Sequence, residues 1–310
     1  MYAFKMKPRM QERIWGGERL RTKFGKEIPS AGTGESWEIS AQGEALSVVS
    51  GGPDVGKTIP QLIERYGEAL LGEAVLRKYG TEFPLLVKFI DANDALSVQV
   101  HPGDEYARTR EGQPFGKSEM WYIVEAEPGA EIVYGLKEEI SREELSAAIA
   151  EGRLEEKLNA ISVSAGDAFF IPAGLLHALG KGILAAEIQQ SADLTYRLYD
   201  YGRVGKDGKP RTLHREKAAE VVRLSASAGW ERADIDAGIR SEFFFARRFA
   251  VSGESERAVS PDAFEFLICC QGEGRLDNLP FSAGDCFLLP ASLGAYSLTG
   301  EAVFLWGRPC

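Results

Sequence analysis

The motif SAGDAFFIPAGLLH at residues 164–177 returns as SAGDCFLLPASLGA at residues 282–295. The two copies lie 118 residues apart, align without a gap and are identical at eight of fourteen positions. A Gly-Asp turn, a short apolar strand, a proline and a second turn form one hairpin unit of a β-barrel. A unit that occurs twice predicts two related barrels in one chain.

The remaining sequence favours a mostly β fold with helical insertions. Short runs rich in β-branched and aromatic residues predict strands at 85–90, 96–100, 120–124, 131–134, 168–171, 183–188, 243–249, 264–269 and 302–306. Three stretches instead predict helices, at about 59–78, 141–158 and 214–224. Ser141 and Glu144 form a capping box at the start of the second helix. Because strands and helices do not alternate regularly, we expect a barrel or sandwich and not a parallel βαβ sheet.

The two copies of the motif differ where chemistry would take place. His177 of the first copy is replaced by Ala295 in the second, and a looser alignment of residues 119–129 with 264–274 places Phe264 opposite Glu119. The first copy therefore holds polar, ligand-type residues and the second holds apolar ones. We expect a catalytic N-terminal domain of residues 1–238, which carries the helical insertions, and a smaller C-terminal domain of residues 239–310 without metal ligands.

Composition limits the possible partners. The 310 residues include 36 Lys and Arg against 46 Asp and Glu, and this net charge of −10 argues against a nucleic-acid or anionic-membrane partner. A few cations in one cleft can still hold a small anion. No apolar run approaches the ~18 residues that span a bilayer. The N-terminus has no signal-peptide pattern, and the four cysteines form no spaced framework. We expect a cytoplasmic protein with reduced thiols.

Two histidines and a glutamate are the strongest candidates for a metal site. In the strand LSVQVH, alternation places Ser97, Gln99 and His101 on one face. Glu119 follows 18 residues after the histidine, and His177 follows 58 residues after that glutamate. Two imidazoles, a carboxylate and an amide oxygen predict a divalent-metal site that leaves room for water or substrate.

Cationic residues form a second group. Lys88 lies in the middle of an apolar strand, Lys117 precedes Glu119 by two residues, and Arg197 and Arg203 belong to one polar segment. Cations that converge near a metal suit an anionic substrate, and arginine suits phosphate in particular. The alternative is that each cation simply pairs with a carboxylate. No P-loop, dinucleotide-binding glycine pattern or nucleophile elbow occurs, which argues against nucleotide chemistry and Ser-His-Asp hydrolysis.

Four runs closely resemble the type I mannose-6-phosphate isomerases in their short bacterial form. They are LLVKFIDANDALSVQVHP at 85–102, GKSEMWY at 116–122, IPAGLLH at 171–177 and EIQQSADLTYRLYDY at 187–201. The VQVHP and KSEMW segments are specific, whereas the Gly-Asp…Pro…His unit is common to cupins. The resemblance covers nearly the whole chain and implies two jelly-roll-like cupin barrels. It also implies a zinc enzyme that interconverts mannose 6-phosphate and fructose 6-phosphate.

The resemblance also assigns roles to residues. The implied ligands of one Zn²⁺ per chain are Gln99, His101, Glu119 and His177. The implied active-site arginine is Arg197, and the implied residues of the substrate pocket are Ser97, Lys88, Lys117 and Glu187. Trp15 is a further candidate for the wall of the sugar cleft. The short form lacks the large helical domain of longer relatives, so contacts made from that domain do not carry over.

The expected reaction moves a proton between C1 and C2 of the sugar through an enediolate. Our hypothesis is that Glu187 or a metal-bound water or hydroxide moves the proton, and that Arg197 stabilises developing charge or the phosphate. Three alternatives stay open: another phosphorylated sugar as substrate, an iron oxygenase, and a non-catalytic sugar-binding cupin. The expected partner is a small sugar phosphate, with neither nucleic acid nor membrane, and the chain is expected to be a monomer or a homodimer.

Overall fold

The computed structural model describes residues 1–205, 208–227 and 232–310. The strands are β1 (Phe4–Lys7), β2 (Arg9–Gly17), β3 (Thr33–Ile39), β4 (Ala41–Gln42), β5 (Ala45–Leu46), β6 (Val48–Val49), β7 (Leu85–Ala92), β8 (Val98–Val100), β9 (Glu119–Ala126), β10 (Glu131–Leu136), β11 (Leu158–Ser162), β12 (Ala168–Ile171), β13 (His177–Leu179), β14 (Ile183–Gln190), β15 (Tyr196–Tyr199), β16 (Ile239–Arg240), β17 (Phe244–Ala258), β18 (Glu265–Leu276), β19 (Leu279–Ser282), β20 (Cys286–Leu289) and β21 (Ala295–Pro309). The helices are α1 (Arg19–Phe24), α2 (Ile59–Tyr66), α3 (Glu68–Leu71), α4 (Glu73–Tyr79), α5 (Asp104–Tyr106), α6 (Arg142–Ala150), α7 (Leu154–Lys157) and α8 (Arg215–Val221), with a π-helical turn at Ala107–Glu111.

The first barrel is built from two antiparallel sheets. One has the order β12-β9-β14-β7-β3-β2 and the other has the order β11-β10-β13-β8-β15. Buried side chains from both sheets meet in one core, which includes Ile90, Trp121, Ile132, Phe169 and Leu179. The alternation of inward and outward residues along each strand places these apolar groups between the sheets.

The second barrel is built from an eight-stranded sheet in the order β16-β17-β21-β18-β20-β1-β6, with β19 attached to β18. The long strands β17 and β21 pair along their whole length and enclose a second core that includes Leu267, Phe287, Leu298 and Phe304. The N-terminal strand β1 belongs to this sheet, since Phe4 lies opposite Leu288 of β20. The predicted mostly β fold with two cupin-type barrels is confirmed; the domain boundary at residue 238 stays a prediction.

The outer faces of the first barrel are covered. All eight residues of β7 and of β14 are buried, because the six-stranded sheet packs on its other side against α2–α4 and the second barrel. Phe83 stacks on Phe264 at this contact, with 4.7 Å between ring centroids. Helices α6–α8 cover the five-stranded sheet. Among the described residues, no helix has the length and apolar character needed to cross a membrane.

The predicted helices lie where expected but are shorter. The stretch 59–78 divides into α2, α3 and α4 at Gly67 and Gly72, whose φ values of 49° and 87° leave the helical region. Gly152, with φ 70°, separates α6 from α7 in the same way. The capping box between Ser141 and Glu144 is present and begins α6. Glycine therefore ended these helices earlier than the periodicity predicted.

The strand register corrects the looser alignment of the two barrels. Glu119 lies opposite Ile171 across β9 and β12, and the repeat equates Ile171 with Leu289. Leu289 lies opposite Glu265 across β20 and β18. The counterpart of Glu119 is therefore Glu265, and the alignment that used Phe264 was wrong by one residue. A shift of one residue moves a side chain to the other face of a strand. With the corrected register, the second barrel has a buried carboxylate, Glu265, at this position.

Candidate active site

The candidate metal ligands come from strand ends at one end of the first barrel. His101 directly follows β8, while Glu119 and His177 begin β9 and β13. Gln99 of β8 lies opposite His177 on one side and opposite Arg197 of β15 on the other. Pairing of β13, β8 and β15 in one sheet, with β9 in the facing sheet, thus brings together residues that are far apart in sequence.

The three side chains His101, Glu119 and His177 offer ligand atoms that all lie within 4.8 Å of one another. Each histidine has its Nδ1 2.8 Å from a backbone carbonyl, of Leu194 and Leu175 respectively, so each Nδ1 carries the proton that it donates. The two Nε2 atoms are then lone-pair acceptors, yet they face each other at 3.0 Å, and each lies 3.4 Å from a Glu119 oxygen.

Such a group of acceptors needs a cation. Both Glu119 oxygens are buried and accept no well-formed hydrogen bond from the described part of the chain. Lys117 Nζ lies 3.0 Å from Glu119 Oε2 and 3.1 Å from His101 Nε2, but one ammonium cannot satisfy four acceptor atoms. The side-chain amide of Gln99 lies 3.3 Å from His177 Nε2 and can present its oxygen by rotation. The residues therefore fit a divalent metal ion with nitrogen and oxygen ligands.

Burial and charge keep these groups in the ligand state. Burial and the neighbouring Lys117 lower the pKa of His101 to about 3, and burial lowers the pKa of His177 as well. Burial would raise the pKa of Glu119, but Lys117 and the two histidines hold it well below its usual range. The imidazoles are thus neutral and the carboxylate is charged near neutral pH.

A second buried carboxylate, Glu187, lies beside the triad. Trp121 Nε1 donates a hydrogen bond of 2.7 Å to its Oε2, and Lys88 Nζ lies 2.9 Å from its Oε1. Burial and the nearby Glu119 raise the pKa of Glu187. Although burial lowers the pKa of Lys88, the carboxylates Glu187 and Glu35 raise it overall, so this lysine is charged. Glu187 therefore has a fixed orientation and a raised proton affinity, which suits proton transfer.

A cleft of about 380 Å³ opens beside these groups. Seven of the sequence-predicted residues line it: Trp15, Lys88, Ser97, Gln99, Lys117, Glu187 and Arg197. Trp15 is also part of the barrel core. The remaining predicted residues, His101, Glu119 and His177, form the metal triad described above. Larger cavities lie elsewhere, such as one of about 950 Å³ between the N-terminal strands and Asp285, but it contains no part of this triad.

Sequence reasoning missed other residues of the cleft: Arg13, Glu35, Asp193, Thr195 and Arg211. Glu35 accepts hydrogen bonds from Trp37 Nε1 at 2.8 Å and from Arg13 Nη2 at 2.7 Å, and its pKa is lowered to about 2 because Lys88 and Arg13 outweigh the effect of burial. The sequence contained a signal for Glu35, because this residue belongs to the buried strand segment GESWE. Arg211 had none, because its position depends on a long loop.

No such triad is found among the described residues of the second barrel. In the described ranges, the metal-type cluster at His101, Glu119 and His177 is the one group found. Glu265, the counterpart of Glu119, accepts a hydrogen bond of 2.6 Å from Trp306 Nε1 instead. Together, fold and site define a protein of the two-barrel cupin class with a candidate metal centre in the first barrel.

Comparison with known proteins identifies the family. The profile of the phosphomannose isomerase type I catalytic domain matches residues 3–149. The probable mannose-6-phosphate isomerase GmuF of Bacillus subtilis is 39% identical over 98% of this chain and 98% of its own. The mannose-6-phosphate isomerase of Streptococcus mutans is 38% identical over 96% and 95%. The crystal structure of the mannose 6-phosphate isomerase from Bacillus subtilis superposes with a TM-score of 0.87 at 35% identity, covering 99% of both chains. The chain belongs to the type I phosphomannose isomerase family.

Proposed function

We propose that this chain interconverts mannose 6-phosphate and fructose 6-phosphate in the cleft of the first barrel. The observation that carries the proposal is the position of Glu187, a buried carboxylate with raised pKa, beside a triad of buried metal-type ligands in a cleft lined by cations. The full-length relatives named mannose-6-phosphate isomerase support the choice of substrate.

The proposed metal is one Zn²⁺ per chain, held by Gln99, His101, Glu119 and His177. Two neutral imidazoles with one carboxylate form a donor set typical of catalytic zinc, and the amide adds a fourth protein ligand. When bound, the ion would polarise the sugar oxygens and stabilise negative charge on the enediolate.

Glu187 is the proposed base. Its carboxylate takes the proton from C2 of the aldose and returns it to C1, while the hydroxyl proton passes from O2 to O1, so the isomerisation releases nothing. Trp121 and Lys88 hold the two oxygens of the carboxylate and orient it. Arg197 lines the same cleft and stabilises developing charge or the phosphate of the sugar, and Lys117 lines it beside Glu119. Trp15 and Ser97 complete its wall.

A cytoplasmic location and the domain division belong to the same proposal. Cys269, Cys270 and Cys286 are buried and unpaired, which fits a reducing compartment. Residues 1–238 hold all the proposed catalytic groups. Residues 239–310 are the proposed smaller domain, whose sheet also includes β1 and β6. The predicted monomer or homodimer can be distinguished by light scattering.

The test measures metal and turnover on the same sample. Purified protein is analysed for metal content, and conversion of mannose 6-phosphate to fructose 6-phosphate is followed before and after chelation. We expect stoichiometric metal, activity lost with the chelator, and activity restored by zinc. Stoichiometric metal without isomerisation would contradict the proposal and direct the search to other sugar phosphates or, with ferrous iron, to oxygen uptake.

A further inference from the structure

The charges around the cleft are balanced at its buried end. Lys88 lies 2.9 Å from Glu187 and 3.7 Å from Glu35, and Lys117 lies 3.0 Å from Glu119. These two lysines face three carboxylates, so they have little positive charge left for an anionic ligand. A phosphate group, which carries about −1.5 to −2 charges at pH 7, needs cations that are not already neutralised.

The rim of the cleft has an excess of positive charge. At the rim Arg211 forms an ion pair with Asp200, and Arg197 forms none with a carboxylate of the described chain. Asp200 also pairs with Arg203, which does not line the cleft and contacts Asp94 as well. The two guanidinium groups that line the rim, Arg197 and Arg211, therefore have one ion-paired carboxylate between them, and Arg203 shares it. Asp193 also lies at the rim, but it is exposed, and solvent screens its charge.

Arg197 and Arg211 line the same cleft, and Arg197 contacts the segment that carries Arg211. Arg197 donates from Nε to Ser97 Oγ at 3.1 Å. It also donates from Nη1, at 3.0 Å, to the carbonyl of Thr212, the residue that follows Arg211. Arg211 donates from Nε to Asp200 Oδ2 at 2.7 Å. Burial and the charge of Arg211 lower the pKa of Arg197. Two adjacent like charges of this kind are stabilised when an anion lies between them.

Both guanidinium groups keep donors for a ligand. Within the described chain, Arg197 Nη2 and Arg211 Nη1 have no hydrogen-bond partner, although both side chains line the cleft. Arg211 is four-fifths buried, with 20% of its side chain exposed, so its direction is set by Asp200 and not by solvent. Thr195, on the same rim, adds a hydroxyl donor.

We propose that Arg211, together with Arg197, binds the phosphate group of the substrate and gives the site its preference for phosphorylated over neutral sugars. The inference rests on the proposed function and identifies a further residue that binds the phosphate. Guanidinium groups suit this task because they bind phosphate oxygens in a planar, two-pronged geometry. The sugar carbons would then extend from the rim toward Glu187 and the metal ligands.

Arg203 provides a matched control. It also donates to Asp200, and it donates to the carbonyl of Ala95, but it does not line the cleft. Both Arg211→Gln and Arg203→Gln therefore remove an ion pair with Asp200. Arg203→Gln also removes the contact with Asp94, and only Arg211→Gln removes a donor to the cleft. Metal content and melting temperature of both variants show whether the fold and the triad are intact.

The experiment measures KM and kcat for fructose 6-phosphate and the inhibition constant of inorganic phosphate. We expect Arg211→Gln to raise KM and the phosphate inhibition constant together, by about tenfold or more, because a charge-assisted hydrogen bond is lost. The value of kcat should change by less than about threefold, because a contact with the phosphate is equally strong in the bound substrate and in the transition state. Arg203→Gln should leave all three constants near those of the wild type.

Two outcomes would overturn the inference: unchanged phosphate affinity in Arg211→Gln, or an equal rise in Arg203→Gln, which would show that the arginine acts only through Asp200. Phosphate binding is also measured by calorimetry, which needs no turnover. A wild type that binds phosphate through Arg211 but does not isomerise the sugar would refute the proposed function while supporting the phosphate site.

Discussion

Trp121 and Glu187 lie opposite each other on β9 and β14, and the indole Nε1 of the first donates a 2.7 Å hydrogen bond to Oε2 of the second. Both side chains are buried, and Lys88 holds the other carboxylate oxygen. The second barrel has a similar hydrogen bond with the tryptophan and the glutamate on exchanged strands, where Trp306 of β21 donates to Glu265 of β18. Glu187 thus has a hydrogen bond to one carboxylate oxygen and an ion pair to the other, which restricts its orientation, and it lines the cleft.

Replacing Trp121 by phenylalanine removes this hydrogen bond and keeps an aromatic ring. We expect Trp121→Phe to lower kcat by about 10- to 100-fold, because a misplaced catalytic group loses much of its effect, with a smaller change in KM. The measurement is steady-state kinetics with metal analysis. Trp37→Phe is the control, since Trp37 donates to Glu35, a carboxylate of the cleft that is not the proposed base. Equal losses in both variants would contradict a positioning role for Trp121.

Replacing Glu187 by glutamine keeps the acceptor for Trp121 and removes the base. We expect a loss of about 10²- to 10⁴-fold in kcat, while zinc stays bound. The check is exchange of the C2 proton of mannose 6-phosphate in deuterated water, followed by NMR. Exchange at the wild-type rate would assign the proton transfer to another group, such as a metal-bound water.

Replacing Glu119 by glutamine removes the charge at the centre of the triad. We expect Glu119→Gln to weaken metal binding by at least about tenfold and to lower activity in proportion, with partial rescue by excess zinc. Glu265→Gln, at the equivalent position of the second barrel, should leave metal content unchanged. Metal analysis after dialysis against a weak chelator distinguishes the two. Full metal retention in Glu119→Gln would refute its assignment as a ligand.

Glu265 also permits a test of stability against pH. Burial raises the pKa of Glu265, so folding disfavours its charged form. The loss of folding stability caused by this residue is absent below the ordinary glutamate pKa of about 4.3 and develops as pH rises through the higher pKa of the folded state. We expect Glu265→Gln to raise the melting temperature at pH 8 by a few degrees and to have little effect near pH 4. A constant difference across this range would show that charge is not the cause.

Gly116 joins the two segments that carry His101 and Lys117. A Cβ atom at Gly116 would lie 2.4 Å from the backbone carbon of Gly103, whereas a Cβ at Gly103 would meet Ala173 at an ordinary 3.9 Å. We expect Gly116→Ala to destabilise the fold by about 1–3 kcal/mol and to impair metal retention, because Lys117 N donates to Pro102 O across this contact. Gly103→Ala should change stability by under about 1 kcal/mol. Urea unfolding of both variants gives the comparison, and equal stability would contradict the steric argument.

Local patterns in the sequence predicted most elements and their order. The alternation in LSVQVH placed Ser97, Gln99 and His101 on one face, and the structure has the first two in the cleft and the third in the triad. Periodicity failed where single glycines ended helices, as at Gly67, and where the looser alignment was wrong by one residue. Such errors arise because a local pattern does not contain the backbone angles or the pairing of a distant strand.

The sequence by itself determined the two related barrels, the copy of the repeat that carries the histidine, and the residue types that could hold a metal. Only the tertiary structure decided which charges remain available for a ligand. Lys88 and Lys117 are paired with buried carboxylates, while Arg211, which no motif indicated, lines the same cleft as Arg197 at the rim. Ion pairing depends on distances between strands and loops that are far apart in the chain, and those distances exist only when the barrel is closed.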